Sequence, residues 1–247
     1  MSATTAVVLV GGLGTRLRAS VPDRPKFLAP VAGRPFASYL LAHLAAQGVR
    51  DVVLCIGHLA DQVEDHCGDG STWGLEIRYS REPEPLGTGG ALRHARDAIR
   101  SDPFLVLNGD SFVQVDLAVL LREHAARGGL ATLVVAPCAD TSRFGRIELG
   151  EQGVVLRFVE KGVDGEGWIN AGIYALSRAL LDRIPAGAAS VERDVFARLP
   201  VGSLFVTRTA GPLIDIGTPE SLAEAAITLP ALIEQPVGEP RDVTTVS

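Results

Sequence analysis

The sequence predicts an α/β fold, a single domain in which a mostly parallel sheet is flanked by helices. Three observations carry this. Short β-branched apolar runs alternate with segments of helix formers through the first 140 residues, the β-α-β rhythm of a doubly wound, Rossmann-like sheet. The first run, Val7 to Val10, stops abruptly at Gly11-Gly12, as a buried strand does where it turns at a sheet's carboxyl edge. From Arg143 the rhythm changes to a hairpin and further strands, which predicts a smaller β-rich part in the second half.

The bulk numbers fit one large domain. A chain of 247 residues with 47% hydrophobic and 21% charged residues buries a sizeable core. No run approaches the roughly 20 apolar residues of a membrane span. Residues 1–10 lack a basic, signal-like start, so a cytoplasmic location and no membrane partner are expected. Cys55, Cys67 and Cys138 have no metal-type spacing and read as reduced thiols. A net charge of −6 without a basic cluster argues against nucleic acid. Of the 23 basic residues only Lys26 and Lys161 are lysine. Arginine presents a planar fork where lysine presents a compact point charge, so the two lysines mark places where a crowded anion needs the smaller group.

In order, the first strand ends in Gly-Gly-Leu-Gly, whose bare N–H groups suit an anion. Residues 36–47 form a helix stopped by Gly48, Asp51–Ile56 a strand, about 59–67 a helix and Leu75–Tyr79 a strand. Pro83 and Pro85 forbid helix, and Gly87-Thr88-Gly89-Gly90 then opens one through about Ile99. Phe104–Leu107 is a buried strand whose end, Asn108-Gly109-Asp110, puts a carboxylate at the carboxyl edge, where Mg²⁺ commonly takes one or two such ligands. Asp116 caps a helix over about 117–127, and Leu130–Ala136 is a strand. Residues 144–149 and 154–159 pair as a hairpin ending at Glu160-Lys161, and 168–174 is a strand holding Asn170-Ala171-Gly172. Helices follow at about 177–184 and 190–198, then a strand at 204–207, then Asp215, the candidate second carboxylate. Thr218 caps a last helix over 218–228 with Pro219 in its first turn. The domain therefore spans 1–230, with a part at about 1–140 and a part at about 141–230, and 231–247 reads as a tail.

The glycine turn matches neither common phosphate loop. A P-loop needs Lys-Ser or Lys-Thr after its glycines, and a dinucleotide fingerprint needs a third glycine where Leu17 stands. What is present is Gly11-Gly-Leu-Gly-Thr-Arg-Leu17, then Pro25-Lys26, then Pro30-Val-Ala-Gly-Arg-Pro35. Together with Pro85-Leu-Gly-Thr-Gly-Gly90, Glu160-Lys161 and Asn170-Ala171-Gly172, this resembles the signature of the sugar-1-phosphate nucleotidyltransferases over about residues 5–225.

That resemblance implies transfer of a nucleotidyl group from a nucleoside triphosphate to a sugar 1-phosphate, with Mg²⁺ as cofactor. It places Val10, Gly11, Gly12, Gly14, Thr15, Arg16 and Lys26 on the nucleotide, with Pro85, Leu86, Gly87, Thr88, Gly90, Asn108 and Gly109. Gly145, Glu160, Lys161, Asn170, Ala171 and Gly172 fall to the sugar phosphate. Arg16, Lys26 and Asp110 would be catalytic, and Asp110 and Asp215 would hold the metal. Relatives often carry Trp shortly before that second aspartate, where Leu213-Ile214 stand here. The motifs look most like the D-glycero-α-D-manno-heptose 1-phosphate guanylyltransferases, which implies GTP. Mannose-1-phosphate guanylyltransferase and a thymidylyl- or uridylyltransferase are the alternatives within the family. A non-catalytic nucleotide-sugar-binding regulatory protein is the alternative outside it, and a homo-oligomer is left open.

Overall fold

The computed structural model describes residues 4–12, 17, 21–142, 145–159, 162 and 164–233. Gly14, Thr15, Arg16, Glu160, Lys161 and most of the expected tail (234–247) lie outside them.

Strand β1 (Thr5–Leu9) is followed by a short ribbon, β2 (Pro30–Val31) and β3 (Arg34–Pro35), and by helix α1 (Phe36–Ala46). Then come β4 (Asp51–Ile56), α2 (Ala60–Cys67), β5 (Glu76–Arg81), α3 (Gly87–His94), β6 (Phe104–Asn108), β7 (Ser111–Phe112) and α4 (Leu117–Arg127). The second half holds β8 (Ala131–Cys138), β9 (Arg146–Leu149), β10 (Val155–Val159), β11 (Gly167–Leu176), β12 (Leu204–Arg208), β13 (Ile214–Asp215) and α5 (Pro219–Ile233).

One nine-stranded sheet organises the described residues. Its heart is parallel, with β1 between β4 and β6 and β5 outside β4. The chain moves outward from β1 to β4 and β5, then returns to the other side of β1 for β6. The crevice between β1 and β6 is therefore the switch point, where ligands of open α/β sheets bind. Antiparallel β11 joins β6 to β8, β12 lies parallel to β8, and the β9–β10 hairpin attaches at Trp168. The two expected parts thus share one sheet.

Alternation along β1 builds both faces. Ala6 and Val8 point to a core with α1, α2, α4 and α5, whereas Val7 joins α3 and residues 180–196 on the other side. Each fully buried aliphatic side chain contributes roughly 1.5–3 kcal/mol. α1 is buried on nearly every side, so even His43 sits inside, edge-on to Phe112. Asp116 caps α4 as expected, its Oδ1 accepting the Val119 N–H at 2.9 Å.

Three expected elements differ. Residues 178–183 form a 3₁₀ helix rather than an α-helix, and 191–198 a π turn running into a 3₁₀ turn. Both segments are held by neighbours instead of by a full α ladder. The last helix does not stop before Pro230 but continues to Ile233. Leu229 and Leu232 are buried on either side of that proline, and their packing outweighs the lost backbone bond. No helix among the described residues is long and apolar enough to cross a membrane.

Candidate active site

At the carboxyl ends of β1 and β6 lies a cavity of about 310 Å³. Its walls include Val10, Gly11, Gly12, Lys26, Pro85, Gly87, Thr88, Asn108, Gly109 and Asp110, ten of the residues singled out from the sequence. Leu9, Phe27, Glu82 and Ala91 complete it.

The sheet positions this wall directly. The Gly109 N–H donates to the Leu9 carbonyl (2.9 Å), so the β1–β6 ladder runs on to the cavity floor. A Cβ on Gly109 would stand 2.7 Å from that same oxygen. Pro25 leads into a 3₁₀ turn, Lys26–Leu28, anchored by buried Phe27 and Leu28. The turn aims the Lys26 ammonium at Asp110, Nζ to Oδ2 at 3.3 Å. Lys26 is 16% exposed and Asp110 40%, so a cation and a carboxylate meet at the mouth of the pocket. Beside them the buried Oδ1 of Asn108 has no hydrogen-bond partner among the described residues.

The glycine-rich start of α3 has a different local reason from bareness toward a ligand. A Cβ on Gly87 (φ +68°) would meet the Ala189 carbonyl oxygen at 2.6 Å, and one on Gly90 the Gly187 oxygen at 2.7 Å. The Gly89 N–H donates to Ala189 O (2.8 Å), and the Ala189 N–H donates to Leu86 O (2.8 Å). Those glycines let segment 187–191 close against the loop. Gly87 and Thr88 still line the cavity, while Leu86 and Gly90 are not part of its lining.

The second-half motif reaches the site through a bulge. β11 shifts register between Asn170 and Tyr174, with Gly172 at φ +74° and its N–H donating to Asn170 Oδ1 (3.0 Å). A Cβ there would stand 2.6 Å from Asn108 Nδ2 and 2.9 Å from Ser111 Oγ, so the bulge packs on the segment that carries Asp110. Ala171 is buried, and Gly145 (φ +79°) ends a turn closed by its N–H to Thr141 O, away from the cavity lining.

Asp215 arrives by β13, which pairs with β7 so that Asp215 lies opposite Ser111. The Ile216 N–H donates to the Asp110 carbonyl (3.0 Å), which makes the two aspartates neighbours through backbone. Asp215 Oδ1 also accepts the Gly217 N–H (3.0 Å).

Glu192 was not visible in the sequence. Its Oε1 accepts from the Tyr174 hydroxyl (3.0 Å), whose oxygen in turn accepts from Asn170 Nδ2 (2.7 Å). Its Oε2 accepts from Thr88 Oγ1 (3.2 Å) and Ser190 Oγ (2.9 Å). This half-buried chain ties the β11 bulge to the cavity wall. Burial, first, and the charge of Glu192 drive the Tyr174 hydroxyl well above its usual pKa, so it stays a donor. Ser190 and Asp194 form a local cap, and nothing local in the sequence shows that the glutamate between them reaches a residue 18 positions back.

A family model described as nucleotidyl transferase matches residues 5–231. A mannose-1-phosphate guanylyltransferase of Mycobacterium tuberculosis is 42% identical over 183 residues, 74% of this chain. The match spans only about half of that relative, 51% of its length. A D-glycero-α-D-manno-heptose 1-phosphate guanylyltransferase of Aneurinibacillus thermoaerophilus is 36% identical over 177 residues, 72% of this chain and 76% of the relative. The crystal structure of HddC from Yersinia pseudotuberculosis superposes with a TM-score of 0.83 at 31% identity, covering 91% of this chain and 99% of HddC. HddC complexed with GMP-PN superposes at 0.82.

Proposed function

The chain belongs to the nucleotidyl transferase family, and from that premise we propose that it transfers GMP from GTP to D-glycero-α-D-manno-heptose 1-phosphate. One observation carries the reading. The glycine turn after β1, Lys26 and Asp110 line a single cavity at the switch point, on a frame shared with HddC.

In the proposed reaction a phosphate oxygen of the sugar 1-phosphate attacks the α-phosphorus of GTP. The bond from that phosphorus to the bridging β-phosphate oxygen breaks, and pyrophosphate leaves with the electron pair. The nucleophile is already ionised at neutral pH, so no general base is needed. The work left to the protein is alignment and relief of repulsion between two anions. Lys26, pre-aimed by its 3₁₀ turn, supplies a positive charge at the α-phosphate. Gly11 and Gly12 keep the turn open toward the phosphates. Gly172 and Asn170 shape the side where the sugar phosphate enters, and the Tyr174–Glu192–Thr88 chain holds the two sides in register. The family resemblance assigns the triphosphate to Gly14, Thr15 and Arg16, and the sugar phosphate to Glu160 and Lys161.

Asp110 and Asp215 fit Mg²⁺ as hard oxygen donors on adjacent backbone, one of them open at the cavity. Bound there, Mg²⁺ would neutralise charge on the phosphate oxygens.

The 42% identity to the mycobacterial relative favours a second sugar, mannose 1-phosphate. Pyrophosphate release measured with GTP, ATP, UTP and dTTP against heptose and mannose 1-phosphates separates these readings. Turnover with GTP and the heptose is expected to dominate. A preference for mannose 1-phosphate moves the assignment to that sugar, and no release with any pair refutes transferase activity.

A further inference from the structure

Beyond the cavity, the carboxyl edge of the sheet continues through β11 and β8 to β12. Register orders the side chains along it. Gly172 packs on Asn108 of the cavity wall. Asn170, two residues earlier in β11, stands opposite Val135 of β8, which stands opposite Arg208 of β12. Directly opposed residues share a face, and Trp168, two residues from Asn170, shares it as well. Val135 and Trp168 pack in the same core as Ala91 of the cavity wall, so this is the face onto which the cavity opens. There the Arg208 guanidinium lies over the Trp168 ring, 5.2 Å from its centroid. Arg208 is exposed, and its guanidinium has no carboxylate partner among the described residues. Resting on the sugar 1-phosphate reading, we propose that the Arg208–Trp168 pair reads the exocyclic end of the sugar, the guanidinium donating to the two adjacent terminal hydroxyls of a heptose.

Position gives the pair the sugar's far end and not its phosphate. The phosphate must meet the α-phosphorus beside Lys26 and Asp110, just past the end of β6. Arg208 is rooted three strands from β6, roughly 14 Å away by the spacing of strands. From there its side chain leans back over β8 to Trp168, which lies roughly 7 Å along β11 from Asn170. A sugar whose phosphate is held at the cavity and whose ring passes Asn170 brings its last carbons to this pair. Stacking on the indole fixes the plane of the guanidinium and leaves its N–H edge for acceptors. Arginine only donates, and two neighbouring hydroxyl oxygens match two neighbouring N–H groups of its fork. A heptose carries such a pair of hydroxyls on its two exocyclic carbons. Mannose ends one carbon sooner and offers a single one. The pair therefore distinguishes the two sugars named in the relatives.

Trp73 and Trp168 are the only tryptophans, so in Trp73→Phe the indole emission reports Trp168 alone. Sugar binding is measured with and without α,β-methylene GTP, which cannot be cleaved at the α-phosphorus. Saturating heptose 1-phosphate should quench or shift the emission, and inorganic phosphate should leave it unchanged. No response to the heptose, or an equal response to inorganic phosphate, overturns the proposal. By titration calorimetry, Arg208→Ala should weaken heptose 1-phosphate about tenfold and mannose 1-phosphate about threefold or less. Trp168→Phe keeps an aromatic face and should keep most of the heptose-to-mannose affinity ratio, whereas Trp168→Leu should lose it. Thermal melts confirm that each variant is folded. An unchanged ratio in Arg208→Ala, or an equal loss for both sugars, refutes a role at the exocyclic end. If the ratio tracks Arg208 while no pyrophosphate is released with any nucleoside triphosphate, the transferase reading fails and this one stands. If Arg208→Ala turns over heptose 1-phosphate with the wild-type KM, the transferase reading stands and this one falls.

Discussion

Replacing Lys26 by alanine separates its proposed chemical role from its structural one. The ammonium is 16% exposed and meets a 40%-exposed Asp110 at 3.3 Å, a geometry in which an ion pair contributes at most about 1 kcal/mol to stability. Loss of the partly buried methylene stem adds about 1–2 kcal/mol. The buried Phe27 and Leu28 keep the turn anchored, so the variant should remain folded, with Tm lowered by about 4–10 °C. At the transition state the same charge is worth about 3–4 kcal/mol, so kcat should fall roughly 100- to 1,000-fold. Lys26→Gln keeps most of the stem and should recover stability but not turnover. Lys26→Arg keeps the charge but brings a planar fork into a crowded site, and should recover turnover only in part. Pyrophosphate-release kinetics beside thermal melts read both quantities. A folded Lys26→Ala protein retaining more than a tenth of wild-type kcat would refute the assignment of the α-phosphate to Lys26.

Asp215→Asn should weaken Mg²⁺ activation at least tenfold while leaving the melt nearly unchanged, because the amide oxygen can still accept the Gly217 N–H; a metal titration of turnover checks this. Gly87→Ala is strained twice, by φ +68° and by the Ala189 oxygen 2.6 Å from the new Cβ, and should lose about 2 kcal/mol or more in a denaturant melt. Gly12→Ala meets no described atom within 4 Å, so it should leave that melt unchanged and raise the KM for GTP instead. Burial lowers the His43 pKa from 6.5 to about 4. The unfolded chain then binds the proton more readily, so stability is complete above pH 6.5 and declines as pH falls toward 4, by about 3 kcal/mol in all. Melts of His43→Leu between pH 7 and 4 should show a flatter acid dependence than the wild type.

The local signals in this chain are strong because they are chemical and short-range. β-branched runs ended by Gly11-Gly12 and Asn108-Gly109, the Asp116 cap, the hairpin after Gly145 and the sparing use of lysine all act through the residue itself or its near neighbours. They sufficed to predict the mostly parallel sheet, and the family resemblance their motifs carry nominated ten of the residues lining one cavity. Tertiary packing decided what local propensity could not. It carried the last helix through Pro230 and turned 178–183 and 191–198 into 3₁₀ and π turns, because buried leucines and side-chain bonds outweigh backbone preference there. It also gave the glycines new reasons. Gly87 and Gly90 admit the 187–191 strand of chain, and Gly11 admits a carboxylate, facts that depend on residues far away in sequence. Glu192 became visible for the same cause: a lone glutamate carries no pattern, and only the fold determines whether it faces water or Tyr174.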